Sequence, residues 1–322
     1  MTADEGVVVG IDAGGTTVKA AGITASGDAL ERVELPTDPA AATKTILSVV
    51  EELLERFERA GRRVRAVGVG AAGFVDFDAG AVTFSPNVVY DDPQIGAALG
   101  ERTGLPVFVD NDANAAVWGE RTYGCCPGAT DVVMFTLGTG IGSGIVAGGR
   151  ILRGSTGAGA ELGHVVVDPS GPPCPCGLRG CLEQMASGSA IARLAHVALG
   201  KDPDSAIPAF AEGPGGAITG ESVAKAAREY DQTARDVLRK AGTALGIGLS
   251  NAVNTFDPEL IVLGGSVVNA GEPYLGPARD QLNRMMQAQR RRPMRLDVTS
   301  LRGDAGIVGA AALAWAELGV TE

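Results

Sequence analysis

The sequence has few of the features that mark several common classes of protein. Only two histidines and five cysteines occur among 322 residues, and aromatic residues make up 4%. No apolar stretch reaches the roughly 20 residues that a membrane-spanning helix needs, and the apolar segment 305–320 contains Glu317. The amino terminus carries Asp4 and Glu5 where a secretory signal would have positive charge followed by an apolar run. These absences predict a cytoplasmic protein without a membrane partner.

Positive charge is also scarce. The chain has 27 lysines and arginines against 38 aspartates and glutamates, for a formal net charge of -11 at pH 7. Such an excess of negative charge repels the phosphate backbone of nucleic acids. The basic run Arg290–Arg292 is short, precedes Pro293 and is typical of a solvated surface. We therefore expect no nucleic-acid partner.

Two familiar nucleotide-binding signatures do not fit. The glycine-lysine-hydroxyl ending of a P-loop is missing, because the sole Gly-Lys pair, Gly200-Lys201, precedes Asp202. Segment 68–73 has the glycine spacing of a dinucleotide fingerprint, but segment 74–80 continues as a hairpin-like sequence and does not open a helix. An NAD enzyme is therefore the less favoured alternative.

The strand pattern suggests a repeat. A run rich in β-branched residues, Val7–Ile11, ends in the glycine- and threonine-containing segment Asp12–Thr17 and resumes at Val18. The order of strand, Gly/Thr turn and strand returns over residues 132–147, with the second turn predicted at 138–144. This self-similarity predicts two lobes of one design, each opening with a hairpin whose turn faces a shared cleft.

Helices alternate with strands along the rest of the chain. Apolar spacing predicts helices at 43–60, 233–256 and 305–318, and strands at 64–70, 105–110 and 260–263. The alternation predicts an α/β architecture with buried sheets covered on both faces. The 45% of hydrophobic residues and the length suit about two domains. We place a small lobe at 1–118, completed by 305–322, and a large lobe at 119–304.

The glycine turns are the candidate phosphate sites. Such turns permit positive φ in a hairpin, and they also expose backbone N–H groups to phosphate. Asp12 is suited to a hydrated magnesium ion, whereas Thr139 offers a hydroxyl and Gly140 an unhindered N–H. Gly264 and Gly265 end a buried strand, where a base or ribose could rest or a tight turn alone could need them. The predicted nucleotide contacts in these segments are Asp12, Gly14, Gly15, Thr16, Thr17, Thr139, Gly140, Gly264 and Gly265.

Three of the five cysteines are concentrated in one short segment. Cys174, Cys176 and Cys181, together with the imidazole of His164, can close a tetrahedron around zinc. A disulfide between Cys174 and Cys176 would close a small, strained ring and leave the third cysteine unpaired. We predict a structural zinc site with these four ligands, and inert or redox cysteines are the alternative.

The candidate general base is Asp112, which immediately follows a strand, at the carboxyl end where open α/β sheets place ligands. Asn111 or Asp112 could instead cap the helix that follows. A bound zinc ion would also hold Glu161, His164 and Glu183 at fixed mutual positions. Several carboxylates and amides in one cleft suit a polyhydroxylated ligand, so the sequence predicts a sugar.

These residues resemble those of the ROK sugar kinases, whose two-lobed fold is the actin-like and hexokinase-like (ribonuclease H-like) ATPase fold. The resemblance covers nearly the whole chain, and within the family the chain most resembles actinobacterial ATP-dependent glucokinases. The resemblance rests on four segments: Asp12–Thr16 with Lys19, Asn111-Asp112, Glu161–His164, and the cysteine-rich segment 174–183, here called the cysteine knuckle.

The resemblance implies transfer of phosphate from ATP to the 6-hydroxyl of glucose, with Asp112 accepting the hydroxyl proton and magnesium bridging the phosphates. It also implies that one ring nitrogen of His164 binds zinc while the other faces a sugar hydroxyl. Lys19 is either a phosphate contact or a solvated lysine. The implied sugar contacts are Asn87, Asn111, Asp112, Glu161, His164 and Glu183. The implied nucleotide contacts include Gly14, Thr16, Thr139, Gly140 and Gly265.

One departure from the family leaves the choice of sugar open. After Asn87 many relatives carry a tryptophan, whereas Val88, Val89 and Tyr90 follow here. N-acetylmannosamine, N-acetylglucosamine, mannose and fructose are therefore alternative substrates, because one contact difference in a hydroxyl-reading pocket can change discrimination greatly. Polyphosphate-using relatives generally lack the cysteine knuckle, which favours ATP.

A different functional class also occurs in the family. Some members are sugar-sensing transcription regulators, which carry a helical DNA-binding module ahead of the first strand. The six residues before Val7 are too few for such a module, so a non-enzymatic regulator is less favoured. By analogy with similar folds we expect a homodimer or a homotetramer.

Overall fold

The computed structural model describes residues 6–212 and 216–320, which form a mixed α/β fold as predicted. These residues divide into two compact units. The first comprises the described residues up to Thr130, Gly144–Ala160 and those from Thr299 onward, and the second comprises Asp131–Ser143 and Glu161–Val298. These limits differ from those of the predicted lobes, 1–118 with 305–322 and 119–304, whose assignment stays a prediction. Across the described ranges, no helix is both long and apolar enough to cross a membrane.

The strands lie close to the positions that the apolar runs predict. They are β1 (Val7–Ala13), β2 (Thr17–Ile23), β3 (Ala29–Pro36), β4 (Val64–Ala71), β5 (Phe74–Asp76), β6 (Ala81–Phe84), β7 (Val107–Asn111), β8 (Val132–Leu137), β9 (Ile141–Ala147), β10 (Arg150–Ile151), β11 (Leu260–Gly264) and β12 (Arg295–Val298). β5 and β6 form an antiparallel hairpin directly after β4. The glycines of segment 68–73 therefore lead into a hairpin, as predicted, and not into the helix that a dinucleotide fingerprint requires.

The α-helices alternate with these strands. They are α1 (Ala42–Arg59), α2 (Ile95–Thr103), α3 (Asp112–Tyr123), α4 (Leu182–Ala186), α5 (Gly188–Leu199), α6 (Gly220–Arg228), α7 (Gln232–Phe256), α8 (Glu272–Ala288) and α9 (Ala305–Glu317). Short 3₁₀ turns occur at Leu162–His164 and Ser266–Ala270, among other places.

The first unit is organised around a sheet with the strand order β3-β2-β1-β4-β7. β1 pairs antiparallel with β2 and parallel with β4, and β4 pairs parallel with β7. The apolar stripe of α1, which includes Ile46, Leu53 and Phe57, belongs to the same buried cluster as β1 residues Val9 and Ile11. The alternate residue Val8 packs with Ile307 and Trp315 of α9 in a separate buried cluster. The sheet is thus covered on both faces, as the buried strands predict.

Small residues allow α9 to approach its neighbours closely. A Cβ on Gly10 of β1 would overlap the carbonyl oxygen of Ile307, so only glycine fits beneath α9 at that position. Where α9 crosses α3, Gly119 and Gly309 face each other, and a Cβ on Gly309 would overlap the carbonyl oxygen of Ala115. The position of α3, and hence of Asp112 at its first residue, therefore depends on α9.

The other end of α3 is held by a buried carboxylate. Glu120 is fully buried and accepts hydrogen bonds from the hydroxyl of Thr299, from the backbone N–H of Leu301 at 2.9 Å and from that of Cys125 at 2.8 Å. Burial would raise the pKa of Glu120, but these hydrogen bonds outweigh it and hold the pKa below its ordinary value. This network connects α3 to the turn that leads into α9.

In the second unit, β11 pairs parallel with β8 on one side and with β12 on the other. β9 begins in this unit and ends in the first, where it pairs with β10. β9 begins at Ile141, so the second glycine turn is shorter than the predicted segment 138–144. The N–H of Gly138 donates to the carbonyl of Gly140 at 3.0 Å, which closes the turn within three residues and lets the strand start at once.

Candidate active site

The carboxyl ends of neighbouring parallel strands bring the acidic residues of the first unit together. Asp12 near the end of β1 is level with Gly70 of β4, which is level with Asp110 of β7. Burial, and next the charge of Asp112, raise the pKa of Asp12 to about 6, and the charge of Lys19 acts against them. Asp12 and Asp112 therefore interact electrostatically.

Asn111 acts as a helix cap. Its Oδ1 accepts from the backbone N–H groups of Ala113 at 2.9 Å and Asn114 at 3.1 Å, and its Nδ2 donates to the carbonyl of Gly73 at 3.0 Å. Oδ1 of Asp112, the first residue of α3, accepts from the N–H of Ala113 at 2.8 Å. The capping alternative is thus correct for Asn111, and it places the Asp112 carboxylate at the positive end of the helix.

A buried ion pair supports this strand end. The side chain of Asp110 is 3% exposed, and its Oδ2 accepts from Nε of Arg153 at 2.8 Å. Its Oδ1 accepts from Nδ2 of Asn114 at 2.9 Å and from the N–H of Asn111 at 2.7 Å. The guanidinium of Arg153 also lies over the ring of Phe77, 3.8 Å from its centroid. These bonds fix the junction of β7 and α3, and sequence reasoning missed Arg153 because it is 43 residues away from Asp110.

The first glycine turn lies between β1 and β2, with Gly15 and Thr16 exposed at its tip. The N–H of Gly14 donates to the carbonyl of Thr17 at 3.2 Å, and the hydroxyl of Thr37 donates to the carbonyl of Gly14 at 2.7 Å. Lys19 is the cross-strand partner of Asp12. The structure therefore places Lys19 beside a carboxylate, which explains its effect on the pKa of Asp12.

The segment after β6 carries Asn87 to this turn. A Cβ on Gly15 would lie 3.7 Å from the carbonyl oxygen of Asn87 and 3.5 Å from Cγ2 of Val88. The hydroxyl of Tyr90 donates to the carbonyl of Ala72 at 3.2 Å. Burial raises the pKa of Tyr90, and the charges of Asp112 and Asp12 raise it further. Tyr90, the third residue after Asn87, therefore lies near both carboxylates.

In the second unit, the four predicted metal ligands come together. Their donor atoms all lie within 4.8 Å of one another. Sγ of Cys174 is 3.5 Å from Nδ1 of His164, and Sγ of Cys176 is 3.6 Å from Sγ of Cys181. Ideal tetrahedral zinc, with bonds of about 2.3 Å to sulfur and about 2.0 Å to nitrogen, separates two sulfurs by about 3.8 Å and a sulfur from a nitrogen by about 3.5 Å. The donor set therefore fits zinc in both chemistry and spacing.

The carboxylates predicted for the sugar surround this cluster. Nε2 of His164 lies 3.9 Å from Oε2 of Glu161, on the side of the ring away from Cys174. Burial of its carboxylate raises the pKa of Glu161, His164 acts against this effect, and Glu183 adds to it. The structure thus places Glu161, His164 and Glu183 in one electrostatic group, as the short spacing predicts.

The second glycine turn lies against Glu183, which belongs to the same electrostatic group. Oε2 of Glu183 accepts from the backbone N–H of Ile141 at 3.0 Å, and a Cβ on Gly140 would overlap that carboxylate. Gly265 has a φ of 86° and approaches the carbonyl of Leu137 too closely for any side chain. Glycine is therefore required at Gly265, whereas a side chain at Gly140 would displace the Glu183 carboxylate.

A cavity of about 460 Å³ opens beside this turn. Its lining includes Gly138, Thr139, Gly188, Ser189, Thr219 and Ser266. Gly264 and Gly265 are not among the described residues that line this cavity, although the next residue, Ser266, is. Sequence reasoning missed the contributions of α5 and of the segment 218–228, because no local signature identifies them.

Residues 8–317 match the model of the ROK family. The chain belongs to the ROK family. It is 37% identical to a glucokinase of Streptomyces coelicolor over 96% of this chain and 98% of that protein. It is 36% identical to a glucokinase of Halalkalibacterium halodurans, over 94% and 92% of the respective chains. A crystal structure of a ROK family glucokinase from Streptomyces griseus in complex with glucose and AMPPNP matches with a TM-score of 0.84 and 38% identity, over 96% of this chain and 99% of that chain.

The ROK family likeness confirms the predicted family and its sugar-kinase fold. The residues that the sequence predicts for the site divide between the two units. The first unit contains Asp12, Gly14, Gly15, Thr16, Thr17, Lys19, Asn87, Asn111 and Asp112, and the second contains Thr139, Gly140, Glu161, His164, Cys174, Cys176, Cys181, Glu183, Gly264 and Gly265.

Proposed function

We propose that the protein transfers the γ-phosphoryl group of ATP to the 6-hydroxyl of glucose. The observation that carries the proposal is the 38% identity, over 96% of this chain, to a glucokinase in complex with glucose and AMPPNP. The acidic residues at the strand ends of the first unit and the zinc-type cluster of the second support it. The reaction class is phosphoryl transfer to an alcohol, for which a protein mainly supplies positioning and charge.

Asp112 is the proposed general base. As the oxygen of the 6-hydroxyl bonds to the γ-phosphorus, the bond from that phosphorus to the β,γ-bridging oxygen breaks, ADP leaves, and the hydroxyl proton passes to Asp112. The N–H of Ala113 and the N-terminal end of α3 stabilise the charged, proton-accepting form of the Asp112 carboxylate. The Asn111 cap and the Asp110–Arg153 pair keep this helix start in place.

Carboxylates and amides are the proposed sugar contacts, because they can accept from and donate to several hydroxyls. In the first unit these are Asn87, Asn111 and Asp112, and in the second they are Glu161, His164 and Glu183. With Nδ1 on zinc, the neutral imidazole of His164 has an N–H at Nε2 that can donate to a hydroxyl oxygen.

The nucleotide contacts are proposed for the two glycine turns and the cavity. In the first unit, Gly14, Gly15, Thr16 and Thr17 bind phosphate oxygens with backbone N–H groups and hydroxyls, and Lys19 adds positive charge. In the second unit, Thr139 and Gly140 bind phosphate, while Gly264, Gly265 and the cavity of about 460 Å³ accept the nucleoside.

Asp12 is suited to a hydrated magnesium ion. A desolvated carboxylate beside a second carboxylate has a raised pKa because its charge is poorly compensated, and a nearby cation would supply that compensation. Bound magnesium neutralises charge on the phosphates of the nucleotide. In the second unit, His164, Cys174, Cys176 and Cys181 would hold zinc as a structural ion with no open coordination position.

The test is ADP release with magnesium and ATP over a panel of glucose, mannose, fructose, N-acetylglucosamine and N-acetylmannosamine. We expect the highest kcat/KM with glucose. 6-Deoxyglucose, which lacks the acceptor hydroxyl, is the matched control and should support no ADP release above the rate without sugar. A higher kcat/KM with another hexose would replace glucose as the substrate, and turnover stimulated by 6-deoxyglucose would contradict transfer to the 6-position.

The remaining predictions concern the location, the oligomeric state and the partners of the protein. A cytoplasmic location, a homodimer or homotetramer, and the absence of nucleic-acid and membrane partners stay predictions from the sequence. The other hexoses stay the alternative substrates, because Val88, Val89 and Tyr90, and no tryptophan, follow Asn87.

A further inference from the structure

The family resemblance implies that Glu183 contacts the sugar, yet in the structure Glu183 is bonded to the first residue after the second glycine turn. Its Oε2 accepts the backbone N–H of Ile141 at 3.0 Å. Ile141 directly follows the turn Gly138–Gly140, which closes on itself through the bond from the N–H of Gly138 to the carbonyl of Gly140. A carboxylate that binds the backbone of a turn controls the conformation of that turn.

Packing shows how close this association is. A Cβ on Gly140 would overlap Oε2 of Glu183 and would lie 3.2 Å from its carboxyl carbon. The carboxylate therefore occupies the space beside Gly140 that a side chain would fill. Because glycine has the largest backbone freedom, a turn with glycines at positions 138 and 140 gains more from an external anchor than an ordinary turn does.

The segment that follows Glu183 also binds the turn. The N–H of Gly188, at the start of α5, donates to the carbonyl of Gly138 at 2.8 Å, and the N–H of Ser189 donates to that of Thr139 at 3.3 Å. Ser187 caps α5 by accepting from the N–H of Ala190 at 3.1 Å. The short stretch from Cys181 to Ser189 therefore touches the turn with one carboxylate and two backbone donors.

The segment that carries His164 binds the strand beyond the turn. The N–H of Leu162 donates to Oγ of Ser143 at 3.0 Å, and a Cβ on Gly163 would overlap the carbonyl of Ile141. The two segments that bring His164 and Cys181 to the metal cluster therefore both contact residues 138–143. An ion that ties these segments together would also fix the turn between its anchors.

We propose that Glu183 is a positioning residue for the Gly138–Gly140 turn, and that through it the zinc cluster sets the affinity for nucleotide. This inference rests on the proposed function, in which this turn binds phosphate. Loss of a hydrogen bond to a charged group in a partly buried site should weaken nucleotide binding about tenfold. Charge alone predicts the opposite, because removing a carboxylate near the phosphates would strengthen binding.

The experiment is isothermal titration of the zinc-loaded full chain with AMPPNP and magnesium, without sugar. Glu183→Ala removes the acceptor and should raise Kd about tenfold. Glu183→Gln keeps an oxygen that can accept from Ile141, so its Kd should stay near the native value. Asp280→Ala is the matched control, because it removes an exposed carboxylate of α8 in the same unit, and it should leave Kd unchanged. Zinc content, measured on each sample, should be the same in all four proteins.

The part played by the metal is tested by a double-mutant cycle. Cys176→Ser should weaken AMPPNP binding in the native background more than in the Glu183→Ala background, because the two changes act through one route. Equal effects in both backgrounds would overturn the metal route.

The outcomes separate the inference from the proposed function. If the native protein fails to bind AMPPNP, the proposed function itself is wrong. If the native protein binds it and Glu183→Ala binds equally or more tightly, Glu183 does not position the turn. A tenfold loss in Asp280→Ala as well would show that the effect is not specific to the carboxylate beside the turn and would overturn the role of Glu183.

Discussion

The two glycine turns have the same local plan but are held by different means. The first, between β1 and β2, is anchored by Thr37, which is 23 residues from Gly14 and follows the next strand in the same sheet. The second is anchored by Glu183, which is 42 residues from Ile141 and two residues after a metal ligand. The first turn thus depends on its own sheet, and the second on a segment that also carries a predicted metal ligand. Two turns with the same sequence motif can therefore differ in what stabilises them.

The comparison predicts that a change at Asp112 in the first unit affects chemistry, whereas changes at the predicted metal ligands and at the second turn affect binding and stability. Asp112→Asn tests this with the largest effect. Because the amide cannot accept the hydroxyl proton, we expect kcat to fall about 10²- to 10⁴-fold. Affinity for AMPPNP and zinc content should stay near native. The measurements are steady-state ADP release and isothermal titration, and unchanged kcat would remove Asp112 as the base.

Zinc removal should disturb the second unit. Cys176→Ser removes one ligand of four, so we expect zinc content to fall to near zero and the thermal midpoint to drop by about 5 °C or more. Elemental analysis and calorimetry measure these effects. Cys125→Ser is the matched control, since Cys125 is not in the cluster and its loss should leave zinc in place. A Cys176→Ser protein with its full zinc content would refute the ligand set.

Glu120 anchors α3 as Glu183 anchors the second turn, and its effect should depend on pH. The folded-state pKa of Glu120 is lowered, so its carboxylate stabilises the fold above the unfolded-state pKa, near 4.5, and this contribution disappears as pH falls through the folded-state pKa. Glu120→Gln should cost about 2–3 kcal/mol of unfolding free energy at pH 7.

Denaturant titrations across pH 3 to 7 measure that effect. Below about pH 4.5 the native protein should lose stability more steeply than Glu120→Gln, because only the native side chain gains a proton there. Parallel curves for the two proteins would show that Glu120 does not contribute through its charge.

The smallest expected effect compares the two turns directly. Gly140→Ala places a Cβ against Glu183 and should cost about 1–3 kcal/mol of unfolding free energy. Gly15→Ala meets only ordinary contacts, the nearest at 3.5 Å, and should change stability by less than about 1 kcal/mol. The cost of Gly140→Ala should shrink in a Glu183→Ala background. Equal costs at the two glycines would erase the difference between the turns.

Features that depend on short sequence spacing were predictable. The β1–β2 hairpin follows from two β-branched runs around one glycine turn, and the metal ligands Cys174, Cys176 and Cys181 lie within eight residues. Asp112 directly follows a predicted strand, and ligands of open α/β sheets bind at the carboxyl ends of the strands. Local chain geometry was enough in each of these cases.

Features that depend on how distant segments dock were not predictable. The Asp110–Arg153 pair and the bond from Ile141 to Glu183 each join residues more than 40 positions apart. The cavity needs α5 and the segment 218–228 to meet the second turn. No periodicity or motif in one sequence encodes such docking. The sequence therefore predicts only a sugar contact for Glu183 and not its bond to Ile141.

The packing of α9 against α3 has a consequence for how the protein is made. The first unit is assembled from three separate stretches of the chain, and the last of them, from Thr299 onward, contains α9. A ribosome must therefore finish the whole second unit before the helix that fixes α3 emerges. A nascent chain contains Asp112 well before it contains the helix that holds this residue in place.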